Sequence, residues 1–196
     1  TAQPARIVPA GGTYTLQPVT IALQSGSLRL AGRYGDGIEV QSRLDGVDLA
    51  LLNTISPGLG IGGRATGSID FAQASPSAFP SADARLSLSN FRRTTAASIS
   101  QPVDVNMVGK LLPDGGEARA VVRRGGTVIG RMVASLRPLP PGSGSWTERL
   151  FSAPLGGGIR YNGPSGVLFS LAALPEQQRS LHMAHNAIGG LWRQMP

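Results

Sequence analysis

Apolar and polar residues alternate along most of the chain, in short segments separated by turn residues. For example, Ile38 and Val40 alternate with Glu39 and Gln41. The same alternation runs through 19–23, 28–31, 84–89, 103–111 and 128–136. Because successive side chains of a strand point to opposite faces, each of these segments predicts a strand with one apolar face.

Short turn motifs separate the predicted strands. They are YGDG at Tyr34–Gly37, PDGG at Pro113–Gly116 and RRGG at Arg123–Gly126. Gly, Asp and Pro in these motifs accept the backbone angles of tight turns, and strands joined by such turns run antiparallel. The chain is therefore predicted to be all-β, an antiparallel meander of roughly eight to eleven strands.

One helical segment interrupts the strands, near residues 48–55. Asp48 is suited to an N-cap, the apolar residues from Leu49 to Ile55 supply about two turns, and Pro57 ends the helix. An isolated helix this short is not stable in water. We therefore expect it to lie on the apolar face of the adjoining strands and to bury its leucines there.

Two loops and an unusual tail suggest how the chain is divided. Gln73–Ala82 is rich in Pro, Ser and Ala, and Arg137–Trp146 is a longer stretch of Pro, Gly and Ser. The second loop predicts a boundary, which divides the chain into 1–140, a continuation of the strand pattern over 141–178, and a tail over 179–196. Apolar spacings near three and four in this tail favour an amphipathic C-terminal helix, which Gly189-Gly190 would weaken.

Charge and composition narrow the function classes. The 196-residue chain carries a net charge of +7 and no cysteine, and Lys110 is its only lysine. Without cysteine it has neither a disulfide framework nor a thiolate metal site. The arginines are scattered, which favours solvated strand faces. The alternative is an anionic partner such as phospholipid headgroups, lipopolysaccharide or nucleic acid, although the shortage of aromatic residues argues against nucleic acid.

Catalytic signatures are weak. His182 and His185 could share a helix face, but two ligands without a nearby carboxylate do not make a metal site. The glycine-rich stretches Gly58–Gly63 and Gly156–Arg160 lack the Lys-Ser/Thr of a phosphate loop. We therefore predict a non-enzymatic protein without a metal or cofactor.

The segment DLALLNTISPGLGIGGRATGSIDF, from Asp48 to Phe71, resembles the repeat of the TamB family of AsmA-like envelope proteins. That repeat has a short leucine-rich helix, Pro-Gly-Leu, a glycine-spaced strand, a loop, and a strand ending in Asn-aromatic, here ADARLSLSNF from Ala82 to Phe91. The same kind of glycine-spaced, alternating pattern continues in GEARAVVRRGGTVIGRMVASL and GGIRYNGPSGVLFSLAAL. The resemblance covers roughly Val19 to Leu174, and the tail departs from it.

The resemblance implies a curved, open, taco-like gutter with an apolar lining. It implies a segment of an inner-membrane-anchored protein that crosses the periplasm, conducts phospholipid between the membranes or supports outer-membrane protein assembly, and works with an outer-membrane barrel partner. The expected partners are phospholipid acyl chains and that barrel, and not nucleic acid. An isolated gutter has open edges, so self-association is also expected.

The alternation indicates which residues would line such a gutter. The predicted lining residues share the apolar parity of their strands. They are Ile21, Leu28, Leu30, Ile38, Val40, Ile69, Phe71, Leu86, Leu88, Val103, Val105, Met107, Val128 and Met132. The same residues would fill the core of a closed β-sandwich or solenoid, which would be a module that recognises protein or glycan through its loops.

Overall fold

A computed structural model describes residues 4–94 and 99–164. Its strands form one antiparallel sheet in which each strand pairs with its neighbours in sequence, from β1 at one edge to β10 at the other. The sheet is open, since β1 and β10 do not pair with each other. The prediction of an all-β open meander is confirmed.

The strand bounds follow the predicted alternation, with β1 and the first half of β2 added before it. The strands are β1 (Ile7–Ala10), β2 (Thr13–Ala22), β3 (Ser27–Tyr34), β4 (Ile38–Asp48), β5 (Ile61–Gln73), β6 (Ser81–Arg93), β7 (Val103–Leu112), β8 (Gly115–Arg124), β9 (Thr127–Leu136) and β10 (Leu155–Tyr161). The helices are α1 (Leu52–Ile55) and α2 (Trp146–Phe151). The predicted C-terminal helix lies outside the described residues.

The meander gives the sheet two distinct ends. Connections after odd-numbered strands, including the 137–154 loop with α2, lie at one end, which we name the Arg149 end. Connections after even-numbered strands, including α1, lie at the other, which we name the Asn53 end. The 137–154 loop does not divide the sheet, because β10 pairs with β9 along its whole length.

Extra residues interrupt the ladder in four strands. The pairing register shifts after Leu16 in β2, after Leu44 in β4, after Leu88 in β6 and before Gly130 in β9. Asn90, in the β6 bulge, has φ of 52°, and its N–H donates to Asp104 Oδ1 at 3.0 Å. Bulges of this kind increase local twist and bend a sheet, so these four positions curve it.

The helical segment at the Asn53 end begins as predicted but contacts the sheet differently. Asp48 caps it, since its carboxylate accepts from Ala50 N at 2.8 Å. A 3-10 turn, Leu49–Leu51, precedes α1, and another follows it at Pro57–Leu59. The expected burial of its apolar residues is wrong: Leu51 and Leu52 are exposed, and Ile55 is 82% exposed. The segment is too short to present a whole apolar side to the sheet.

Asn53 is what ties this segment to the sheet. Its Nδ2 donates to the Ile61 carbonyl at 2.7 Å, and its Oδ1 accepts from the Ile61 N–H at 3.0 Å. The side chain therefore pairs with the first residue of β5 as another strand would. No signal in the hydrophobic pattern identified this polar residue as the anchor.

Replacing Asn53 with alanine should lower the free energy of unfolding by about 2 kcal/mol, because two partly buried hydrogen bonds of about 1 kcal/mol each are lost. Urea denaturation followed by far-UV circular dichroism measures this change. Ile55→Ala, in the same helix, removes an exposed side chain and should change the value by less than about 0.5 kcal/mol. Equal losses in the two variants would show that Asn53 does not anchor the segment.

At the Arg149 end, α2 is fastened across the strand ends. Phe79 from the β5–β6 loop is 9% exposed, and the Arg149 guanidinium lies 4.8 Å from the centre of its ring. Arg149 also donates to the carbonyls of Leu139 at 2.7 Å and Pro113 at 3.3 Å. This cluster, which we name the Arg149 clasp, joins three connections that are far apart in sequence.

The first turn of α2 carries its own cap. Ser145 Oγ accepts from Glu148 N, while the Glu148 carboxylate accepts from Ser145 N at 2.7 Å. The hydrogen bonds from the Ser145 backbone and hydroxyl hold the pKa of Glu148 below its usual value. Such reciprocal capping fixes where α2 begins and so helps to place Arg149.

Candidate functional site

Strand register divides the sheet into two chemically different faces. Residues directly opposite each other in an antiparallel ladder point to the same side. Val40 pairs with Phe71, Phe71 with Ala82, and Ala82 with Leu111, so these four side chains form one apolar row across β4 to β7. Following the register outward from this row assigns the residues of all the remaining strands to one face or the other.

We name the resulting surface the apolar face. Its large apolar members are Ile7, Tyr14, Leu16, Val19, Ile21, Leu28, Leu30, Tyr34, Ile38, Val40, Leu44, Val47, Ile61, Ile69, Phe71, Leu86, Leu88, Phe91, Val103, Val105, Met107, Leu111, Val122, Ile129, Met132, Leu136, Leu155, Ile159 and Tyr161. Glycine and alanine occupy most of its other positions. The face therefore runs unbroken from β1 to β10.

Polar side chains on the apolar face are few, and two of them are hydrogen-bonded to backbone carbonyls. Within the strands, Ser42 donates to the Ile69 carbonyl at 2.7 Å. Gln73 donates to the Ala78 carbonyl at 2.9 Å at the Arg149 end. By register, the charged residues of the face in the described part of the chain are Arg93 and Arg124, both at the Asn53 end. Between its two ends, the described part of the face presents apolar side chains to a ligand and carries no charged residue.

Within the described residues, no second sheet covers the apolar face, since all ten strands belong to one sheet. Each of these strands makes its main contacts with its sequence neighbours. Large side chains on the face stay partly open to solvent, for example Ile21 at 41% exposure. The closed-sandwich alternative, in which these side chains would be a filled core, does not describe this sheet.

A small core forms on the same face towards the Asn53 end. Val103 is 2% exposed and packs with Ile129, and Phe91, Val122 and Tyr161 surround the pair. Buried apolar side chains of the described residues are therefore gathered at this end of the apolar face.

Nearly all of the predicted lining residues lie on the apolar face. The register places Ile21, Leu28, Leu30, Ile38, Val40, Ile69, Phe71, Leu86, Leu88, Val103, Val105, Met107 and Met132 there. Their contact with lipid stays a prediction. The alternation identified them because each strand keeps its parity between bulges.

Val128 is the exception, and its assignment is corrected. It pairs with Arg123, and Arg123 pairs with Asp104, so all three lie on the opposite face. The bulge in β9 adds one residue between Val128 and Gly130 and reverses the parity. Ile129 takes the apolar position and packs against Val103. A bulge leaves no mark in the hydrophobic pattern, so the sequence could not reveal it.

The opposite face, which we name the polar face, carries ion pairs on strands β3 to β8. Arg43 meets Asp70 at 3.2 Å, Arg85 meets Asp83 at 3.5 Å, and Arg119 meets Glu117 at 3.6 Å. All of these side chains are exposed, so each pair contributes at most about 1 kcal/mol. Their main effect is to balance charge on this part of the surface.

Comparison with known proteins gives no assignment. No protein-family model, curated protein or solved structure matches this chain. The site must therefore be interpreted from its own geometry, which is an open sheet with one apolar face and one charged face.

Two further features of the described residues bear on function. No group of three or more His, Asp or Glu side chains is arranged to hold a metal ion in this part of the chain. No helix within it is long and apolar enough to cross a membrane. His182 and His185 lie outside the described residues.

The predicted lining residues did not include the outermost residues of the apolar face. Ile7 and Tyr14 in β1 and β2, and Leu155 and Ile159 in β10, extend the apolar face by register. β1 is too short to show alternation, and three consecutive glycines in β10 conceal its parity. Tyr14 and Tyr34 lie directly opposite each other in β2 and β3. Aromatic cross-strand pairs of this kind are common in sheets, but the two residues can be recognised as a pair only when the register is known.

Proposed function

We propose that this chain is a non-enzymatic segment of a hydrophobic β-groove that spans the periplasm and conducts phospholipid between the inner and outer membranes, or supports outer-membrane protein assembly there. The supporting observation is the apolar face, which continues across all ten strands and is not covered by a second sheet in the part of the chain that the structure describes. In this proposal the parent protein is anchored in the inner membrane and works with an outer-membrane barrel.

An acyl chain gains free energy along such a surface without a shaped pocket. Each buried methylene contributes about 0.8 kcal/mol. Ten strands spaced by about 4.8 Å give a path of about 43 Å across the sheet. Since apolar burial is not directional, a tail can slide from row to row with little change in free energy. Continuity of the face, rather than any single residue, would carry the function.

Phospholipid should crosslink to the apolar face and not to the polar face of the same strand. A photoreactive amino acid at Leu88 lies on the apolar face, and one at Ser87 lies on the polar face. The two variants are expressed in the periplasm of a Gram-negative host, irradiated and analysed by mass spectrometry for phospholipid adducts. We expect adducts at Leu88 and background at Ser87.

Ser87 is a matched control for Leu88, because the two positions are adjacent in sequence. Both lie in the middle of β6, so expression, local sequence and depth in the sheet are matched. Adducts of equal yield at the two positions, or none at Leu88, would contradict a lipid-conducting groove. Native mass spectrometry of the purified chain adds a second measurement, in which retained phospholipid supports the proposal.

A further inference from the structure

The polar face changes character at β8 to β10. Arg123, Arg131 and Arg160 lie there, and by register Val121, Val128 and Val133 lie between and beside them. Arg131 and Arg160 are directly opposite each other, although like charges in that position repel. We name these six residues the arginine–valine surface.

The positive charge of this surface is not balanced by the described residues. Every ion pair of the described part lies elsewhere, at Arg33, Arg43, Arg85 and Arg119. Asp104, opposite Arg123, accepts from the Asn90 N–H instead. Arg131 and Arg160 are exposed. The exposed guanidinium groups of Arg131 and Arg160 are thus available to an external anion, and Arg123 lies partly buried beside them, opposite Asp104.

We propose that the arginine–valine surface docks on anionic phospholipid headgroups of a membrane surface. Guanidinium groups bind phosphate through paired hydrogen bonds and are less strongly hydrated than lysine. Val133, half-exposed beside Arg131 in β9, adds aliphatic surface that suits the headgroup–acyl boundary. This surface has no aromatic side chain for base stacking, so nucleic acid fits it less well.

The inference is separate from lipid conduction, because the docking surface and the apolar face lie on opposite sides of β8 to β10. It would orient the sheet at a membrane with its apolar face turned away from the headgroups. A basic surface near anionic lipid gains about fivefold in partitioning for each arginine, and this gain falls with salt.

Vesicle co-sedimentation of the full chain tests the proposal. The vesicles contain equimolar phosphatidylglycerol and phosphatidylcholine, with pure phosphatidylcholine as the neutral comparison. R131Q/R160Q should weaken partitioning to the anionic vesicles by about 25-fold. R43Q/R85Q removes the same charge from arginines that are already paired with Asp70 and Asp83, and should weaken it far less.

Three outcomes would overturn the proposal. The first is equal weakening by the two double variants, which would show that only net charge matters. The second is equal binding to the neutral vesicles. The third is retention of duplex DNA that R131Q/R160Q abolishes while vesicle binding persists. None of these outcomes changes the expected crosslink at Leu88, so a failure here is distinguishable from a failure of the groove.

Discussion

Gly67→Ala is expected to lower the free energy of unfolding by about 3 kcal/mol, because Gly67 has a positive φ and the β6 backbone leaves no room for a Cβ there. Its φ is +143°, an angle that residues with a side chain rarely adopt, and an added Cβ would collide with the Arg85 carbonyl oxygen. Relief of that collision requires β5 and β6 to separate in the middle of the sheet. Urea denaturation followed by circular dichroism measures the loss.

Gly109 provides the matched control. It also lies on the apolar face, in β7, but a Cβ there would meet its nearest neighbour, the Glu117 carbonyl oxygen, at an ordinary 3.6 Å. Gly109→Ala should therefore be neutral or stabilise by up to about 1 kcal/mol, since alanine restricts the unfolded chain. A loss below about 1 kcal/mol for Gly67→Ala would contradict the close approach of the two strands.

The sequence predicted the fold class because alternation is a local property. In β7, every second residue from Val103 to Leu111 is apolar or glycine, and short turns such as PDGG leave antiparallel pairing as the only arrangement. Alternation does not decide whether the sheet is open. Alternation is the same for a groove and for one layer of a sandwich, so only the resemblance favoured the groove.

What the sequence could not predict depends on contacts between distant residues. Val128 was misassigned because one inserted residue in β9 reverses parity without changing composition. The leucine-rich segment was expected to bury its apolar residues, yet Asn53 holds it through backbone groups of Ile61. The sequence does not predict the role of Arg149 in joining the loops, because its hydrogen-bond partners lie in loops with no periodic pattern.

The arginine–valine surface illustrates the same limit. Arg123, Arg131 and Arg160 are spread along the chain, and scattered arginines favour the interpretation as solvated charges. Register brings them to one face of adjacent strands, while the carboxylates pair with other arginines. The distinction between balanced and unbalanced charge therefore appears only when strand pairing is known.

Phe79→Ala is expected to destabilise the protein by about 3 kcal/mol, because it removes a buried aromatic side chain and leaves a cavity beneath α2. Phe79 is 9% exposed, whereas Phe151, in α2 itself, is 83% exposed. Phe151→Ala should therefore change the unfolding free energy by less than about 0.5 kcal/mol. Urea titration followed by far-UV circular dichroism measures both.

Arg149→Met separates the charge of the clasp from its packing. Methionine keeps an unbranched apolar stem but loses the donors to Leu139 and Pro113, so we expect a loss of about 2 kcal/mol. The stacked guanidinium and ring should couple by about 1 kcal/mol in a double-mutant cycle with Phe79→Ala. Strict additivity of the two substitutions would mean that Phe79 and Arg149 stabilise the end of the sheet independently, and that the clasp is not one unit.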